Sequence, residues 1–427
     1  MPVSVLVGMQ WGDEGKGKIV DLLSEKNDVI ARFQGGANAG HTVVINGREF
    51  ILHIIPSGIL RPGKICLIGS GVVVDPEALL KEIEELAQSG IDVSGRLIIS
   101  PRAHCILPVH KELDSASENM KSQKKIGTTR KGIGPAYSDK TQRIGIPVSF
   151  LDDREKLEQA VNAMVERHNP LLEHFYGGAT MDAKKVLKAI MEIAPKITKY
   201  IGDTRSVIRD SIRQNKNILC EGAQGTMLDI DHGSYPFVTS SNTISGGACT
   251  GLGIPPNKID AIIGVIKAYT TRVGEGPFPT ELSDSDGTML QDEGREFGAT
   301  TGRPRRCGWF DAVIGRYAAE LNGITEIVIT KLDVLDKMKK IKVCVGYEHK
   351  GERIENITDD VSILENVTPV YEHLDGWEAK TAGVTRLDRL PANARSYIDF
   401  LQEQVGVKAS LISTGQDRNA SIDASAA

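Results

Sequence analysis

Close to the amino terminus stands Gly12-Asp13-Glu14-Gly15-Lys16-Gly17-Lys18, a run whose residue types suit a phosphate group. Its spacing satisfies the phosphate-loop pattern G-x-x-x-x-G-K. Glycines let backbone N–H groups approach an anion, a following helix offers its positive end, and lysine supplies charge. Ile19, however, stands where such loops carry the Ser or Thr that holds Mg²⁺. Asp13 is the candidate to hold the metal instead. A carboxylate in a phosphate loop repels its ligand unless it binds a cation or takes up a proton during reaction. The bland alternative, an ordinary polar turn between strand and helix, explains neither the paired lysines nor the acid.

Four further segments carry chemistry. Gln34-Gly35-Gly36-Ala37-Asn38-Ala39-Gly40-His41-Thr42 is a second glycine-rich loop, and its histidine can act as acid, base or phosphate partner near neutral pH. A basic stretch over 121–143 contains Lys121, Lys124, Lys125, Arg130, Lys131, Lys140 and Arg143, around the hydroxyl-rich Gly127-Thr128-Thr129. By itself it reads equally as a solvated charge run. Ala299-Thr300-Thr301-Gly302-Arg303-Pro304-Arg305-Arg306 offers guanidinium forks suited to carboxylate or phosphate. Thr330-Lys331-Leu332-Asp333 echoes the Asn-Lys-x-Asp element of GTP-binding proteins, in which the Asp accepts from guanine N1–H and the 2-amino group. Adenine offers no such pair of donors, so this element favours GTP over ATP.

These segments need a scaffold that brings them together. Apolar runs at 3–7, 29–33, 65–68, 97–99, 218–220, 259–266, 326–330 and 342–345 read as strands. Helical spacing covers 19–23, 76–88, 151–167, 182–200, 204–214, 309–321 and 392–404, with Pro195 predicted to bend or break its helix. Asn46-Gly47 between apolar runs predicts a type I′ hairpin turn. Strands alternating with helices imply an α/β fold with a large, mostly parallel central sheet flanked by helices. In such sheets ligands bind at the carboxyl edge, where both glycine-rich loops fall. The 427 residues read as one large domain, with an inserted basic loop and helical subdomain at about 100–200.

Composition narrows the partners. A formal net charge of −5 gives no general attraction to nucleic acid or to an anionic membrane, so anionic ligands must be held by local Lys and Arg clusters. Six scattered cysteines without paired spacing suggest reduced thiols and disfavour a zinc site. Residues 3–7 are too short for a signal-peptide core, and no apolar run reaches the ~20 residues of a membrane helix. A soluble cytoplasmic protein is expected.

Taken together, the motifs resemble adenylosuccinate synthetase. The resemblance covers nearly the whole chain: Gln10 and Trp11 with the phosphate loop, 35–41, 127–135, Glu221-Gly222-Ala223-Gln224-Gly225, 235–241, 300–305, 330–333 and Ser413-Thr414-Gly415. It implies a P-loop-NTPase-related sheet with appended subdomains. It also implies ligation of IMP and L-aspartate, with GTP and Mg²⁺, to adenylosuccinate, GDP and phosphate through 6-phosphoryl-IMP, the first committed step from IMP to AMP.

Position by position, the resemblance makes Asp13, His41, Lys16 and Gln224 catalytic. Asp13 would remove the N1 proton of IMP and His41 would donate a proton as the phosphoryl group moves. It assigns IMP to Asp13, Glu14, Gly15, Lys16, Asn38, Ala39, Gly40, His41, Thr129, Gln224, Thr239 and Arg303. Arg143 would reach the IMP of a neighbouring subunit, implying a homodimer. GTP falls to 12–18, Gly40, His41, Thr42, Arg305, Lys331, Leu332, Asp333, Ser413, Thr414 and Gly415. L-Aspartate falls to the loop Ala299, Thr300, Thr301, Gly302, Arg303, Pro304 and Arg305, and Mg²⁺ to Asp13 and the Gly40 carbonyl.

Rival readings are a GTPase switch, an ATP-dependent carboxylate–amine ligase and a nucleic-acid-binding module. Asp13 with Ile19, Asp333 and the acidic balance respectively weigh against them.

Overall fold

Nine strands form the central sheet of the computed structural model, which describes residues 3–120, 127–298, 302–357 and 360–425. In chain order they are β1 (Val3–Gly8), β2 (Val29–Arg32), β3 (Ile65–Ile68), β4 (Leu97–Ile99), β5 (Ile218–Glu221), β6 (Ala261–Lys267), β7 (Glu326–Thr330), β8 (Ala409–Ser413) and β9 (Ser421–Asp423). Across the sheet they run β9-β8-β7-β6-β1-β5-β2-β3-β4. All neighbours are parallel except β9, which returns antiparallel beside β8.

Strand β1 shows why the sheet is central. Its residues alternate between faces, yet Val5, Leu6 and Val7 are all fully buried. Leu6 packs into a core with Ile19 and Val20 of helix α1 (Lys16–Leu23). Val5 and Val7 face Ile208 and Leu252 on the opposite side. A parallel strand covered on both faces reads as a continuous apolar run, and each such buried side chain contributes roughly 1.5–3 kcal/mol. Since β1, β2, β5, β6, β7 and β8 point the same way, the loops that follow them open on one edge.

Most of the predicted elements are present within a few residues. The Asn46-Gly47 turn has positive φ at both residues (50° and 77°), as a type I′ turn requires. Its strands run over His41–Ile45 and Arg48–Leu52. Three differences stand out. The helix bearing Pro195 does not break there but runs from Ala183 to Thr198. Its buried stripe of Val186, Ile190, Ala194 and Ile197 outweighs one lost hydrogen bond near its end. The helix expected from 309 begins at Ala312, because the Asp311 carboxylate caps the N–H groups of Val313 and Ile314. The apolar run at 342–345 belongs to a longer strand, Lys340–His349, in a separate four-stranded sheet. Within 100–200 the chain also forms helices Pro108–Met120 and Ile133–Gln142, whose buried faces carry polar residues (His110, Asp114 and Glu118; Asp139) among the apolar ones.

Candidate active site

The loops after β1, β2, β5, β7 and β8 converge on one cavity of about 1000 Å³, at the upper end for a small-molecule site. Helix α1 aims its amino terminus into it. Gly15 precedes the helix in a left-handed conformation (φ 83°) and gives no side-chain cap, so the N–H groups of the first turn remain available to an anion. Gly17 permits a close approach of the second loop: a Cβ there would lie 2.8 Å from the His41 Cβ.

Inside the phosphate loop the two acids divide. Glu14 is fully buried beneath the loop and accepts from the N–H groups of Gln10 (3.1 Å) and Gly12 (2.9 Å) and from Lys16 Nζ (2.5 Å). Its side chain braces the loop and does not line the cavity. Asp13, with a left-handed backbone (φ 59°), holds its carboxylate at the cavity wall, where Oδ2 accepts from Arg305 Nε at 2.7 Å. Gln224 (φ 56°) and Lys331 (φ 61°) share this unusual backbone. Side chains bearing a Cβ pay for that conformation, and such residues concentrate at functional sites. Lys18 donates to Ser413 Oγ (2.8 Å) and to the carbonyls of Gly415 (2.8 Å) and Ala420 (2.7 Å), tying α1 to the chain after β8. Burial brings its ammonium down to about 8, against the pull of Asp333 and Asp417.

His41 is the buried end of a dyad. Its Nδ1 lies 2.5 Å from Glu221 Oε1, at the end of β5. Glu221 also accepts from Ser57 N (2.8 Å) and Ser57 Oγ (3.0 Å), and Arg32 stands 3.8 Å away. Burial opposes charge on Glu221, yet the bond to His41, the Arg32 charge and the Ser57 N–H hold its carboxyl below the usual range. Burial pushes the His41 imidazole below its ordinary value even though Glu221 favours the charged ring. With Nδ1 engaged, Nε2 is the nitrogen left to address a ligand.

Three buried polar atoms around the same cavity, Asn38 Oδ1, Thr128 Oγ1 and Gln224 Oε1, have no hydrogen-bond partner within the described chain. Buried polar atoms are normally satisfied, so this cluster matches a ligand rich in donors and acceptors. The surrounding loops are braced: Lys131 Nζ donates to Ala37 O (2.7 Å), and Tyr137 OH accepts from Gly35 N (2.9 Å). Lys140 Nζ likewise donates to Ser70 O (2.8 Å). Part of the basic stretch therefore supports the second loop and is not a free cationic surface.

On the far side of β1, Arg303 and Arg305 enter the cavity beside Lys331 and Asp333. Burial raises the Asp333 carboxyl above its ordinary value, with Lys331 and Lys18 opposing.

The cavity wall thus collects Gly12, Asp13, Gly15, Lys16, Gly17, Lys18, Asn38, Ala39, Gly40, His41 and Thr42 from the two glycine-rich loops. Thr129, Gln224, Thr239, Arg303, Arg305, Lys331, Asp333, Ser413 and Gly415 line it as well. Leu332 and Thr414 are fully buried, and Thr414 Oγ1 donates to Val384 O (2.7 Å). Gly302 and Pro304 flank Arg303, are exposed and do not line the cavity. Ala299, Thr300 and Thr301 lie outside the described residues, as do Lys121, Lys124 and Lys125. Arg143 is exposed at the left-handed end of its helix (φ 64°) and does not line this chain's own cavity.

Sequence reasoning assigned no role to Thr128, Glu221, Ser57 or Glu296. Only Thr128 and Glu221 carried a local signal, a hydroxyl beside Thr129 and an acid closing an apolar strand.

No group of three or more His, Cys, Asp or Glu suited to a metal occurs among the described residues. Asp13 and the Gly40 carbonyl offer two oxygen donors in one cavity. That small set suits Mg²⁺, which keeps several waters and takes further ligands from phosphates.

Comparison with known proteins agrees over almost the entire chain. A family model described as adenylosuccinate synthetase matches residues 5–422. Over 419 residues the chain is 52% identical to the adenylosuccinate synthetase of Thermodesulfovibrio yellowstonii, covering 98% of each chain. Over 420 residues it is 52% identical to that of Halorhodospira halophila, covering 98% of this chain and 97% of the other. The structure of fully ligated adenylosuccinate synthetase from Plasmodium falciparum superimposes with a TM-score of 0.94 at 39% identity, covering 99% of this chain and 100% of that one.

Proposed function

The chain belongs to the adenylosuccinate synthetase family, and we propose that the cavity at the carboxyl edge of its sheet carries the family's reaction in the following way. The reaction is GTP-dependent ligation of IMP and L-aspartate to adenylosuccinate, with GDP and phosphate released. The O6 of IMP is a poor leaving group, so direct displacement by an amine is slow. Phosphorylation converts it into a good one. Removal of the N1 proton puts negative charge on O6, which attacks the γ-phosphorus of GTP; the P–O bond to GDP breaks. The aspartate amine then displaces phosphate at C6.

In this reading Asp13 takes the N1 proton, and it is free to do so once Arg305 transfers from it to an incoming anion. Lys16 leaves Glu14 to accompany the transferring phosphoryl group, and the open N–H groups of α1 hold the phosphates. His41, oriented through Nδ1 by Glu221, presents Nε2 to the phosphoryl oxygen. Asn38, Thr128 and Gln224 supply the unpaired polar atoms that receive IMP. Asp333 reads the guanine, and Arg303 holds an L-aspartate carboxylate without touching its amine. Mg²⁺, held by Asp13 and the Gly40 carbonyl, would neutralise charge on the phosphates. A homodimer, with Arg143 completing the neighbour's IMP site, and a cytoplasmic setting complete the reading. Among the described residues no helix is long and apolar enough to cross a membrane.

The observation that carries the proposal is the pairing of Asp13 with Arg305 beside the open end of α1: a carboxylate set where phosphate binds, kept by a counter-ion that can leave. Phosphate release from GTP, with IMP and L-aspartate omitted in turn, tests it. Release requires all three substrates; release that persists without IMP refutes the reading. Asp13→Asn keeps shape but loses base and metal charge, and synthesis should fall by at least ~10³-fold with the fold retained.

A further inference from the structure

Beyond the predicted site, one buried carboxylate gathers more cationic partners than any catalytic group. Glu296 is fully buried in the neck of the loop that ends at Arg305. Its Oε1 accepts from Lys267 Nζ at 2.8 Å and from the Tyr269 hydroxyl, with Lys331 Nζ 3.6 Å away. Its Oε2 accepts from Arg305 Nη1 at 2.7 Å. The main chain repeats the grip: Arg305 N donates to Glu296 O (2.8 Å), and Gln291 Nε2 donates to Arg305 O (2.8 Å). Lys267 in turn is tied to the phosphate loop, its N–H donating to Gln10 Oε1 at 2.9 Å.

We propose that Glu296 is a positioning residue for Arg305 and Lys331, holding Arg305 by Nη1 while Nε exchanges the Asp13 carboxylate for the carboxylate of the incoming substrate. The proposal rests on the roles given above to Asp13 and Arg305. A guanidinium presents donors along separate edges, so it can keep one partner while changing another. Around this point stand three cations, Lys267, Arg305 and Lys331, and two carboxylates, Glu296 and Asp13. That leaves a net charge of +1 while Asp13 is paired, and more exposed positive charge once Asp13 turns to its own chemistry. Without Glu296, Arg305 would have Asp13 as its sole carboxylate partner in this group and would hold it more tightly. Glu296 therefore keeps the exchange balanced, and it sets Lys331, which also donates to Gly294 O (2.5 Å), against the same anchor.

The test is steady-state kinetics on the full chain with Glu296→Gln, Arg305→Leu and the double variant, with unfolding followed in parallel. Glu296→Gln should raise the KM for L-aspartate on the order of tenfold while the KM for IMP stays within about twofold. In the Arg305→Leu background the same change should add less than about twofold, because the residue it acts through is gone. A KM for L-aspartate within twofold of wild type, or effects that multiply in the double variant, overturns the proposal. Should Glu296→Gln not fold, Glu296→Asp keeps the charge but withdraws it by one methylene. It too should raise the KM for L-aspartate selectively, and an unchanged value overturns the proposal. Wild-type turnover that ignores IMP would instead defeat the functional reading.

Discussion

Glu221 and Glu296 are both fully buried glutamates, one on each side of β1, and they do different work. Glu221 ends a central strand and faces an imidazole, a serine and one arginine 3.8 Å off. Glu296 sits on a loop and faces three cations and a phenol. Burial pushes the Glu296 carboxyl up, but Lys267, Lys331 and Arg305 more than offset it and hold it down to about 2. The contrast teaches that burial of a carboxylate does not define its role. On the strand it aims one ring; on the loop it neutralises and aligns several neighbouring charges.

The sharpest way to break that contrast is Glu221→Ala. If Glu221 chiefly aims His41, kcat should fall by about 10²-fold with little change in the KM for IMP, as when the orienting partner of a functional histidine is removed. A loss below about twofold would mean that the hairpin alone positions the ring. Lys267→Met probes the other side. Removing one member of a buried charge cluster costs stability, on the order of 3 kcal/mol, read as a shift in the urea midpoint with unchanged slope. A kinetic defect without a stability defect would reverse the roles assigned to the two glutamates. The smallest effect belongs to Ser57→Ala, which removes one of several donors to Glu221. It should cost about 1 kcal/mol of stability and no more than about twofold in kcat, both measurable on purified protein.

How much of this was legible beforehand depended on distance along the chain. The phosphate loop, the Asn46-Gly47 turn and the 330–333 element are complete within a few residues, so composition and spacing reveal them. Asp13 was readable as an acid where a phosphate loop should have none. Its partner Arg305 was readable only as one of several loop arginines, because the 2.7 Å contact joins residues 292 positions apart. Ser57 meets Glu221 across 164 positions, and nothing near either residue announces the other. Helices Pro108–Met120 and Ile133–Gln142 escaped for a different reason: their buried faces include His110, Asp114, Glu118 and Asp139, which a reading of apolar spacing does not count. Pro195 does not break its helix because propensity describes an isolated helix, whereas this one is held by its buried face.

The phosphate loop itself marks the division. From the sequence alone came residue types suited to phosphate, the absence of the usual hydroxyl at Ile19 and the presence of Asp13 and Glu14. These are properties of side-chain chemistry at short spacing. Which acid faces the ligand was decided only by the fold: Glu14 turns under the loop to Lys16 and the loop amides, and Asp13 turns outward to Arg305. The reason is electrostatic and steric at once. A buried charge must find partners at hydrogen-bond distance, and only the tertiary structure determines which donors are there to meet it.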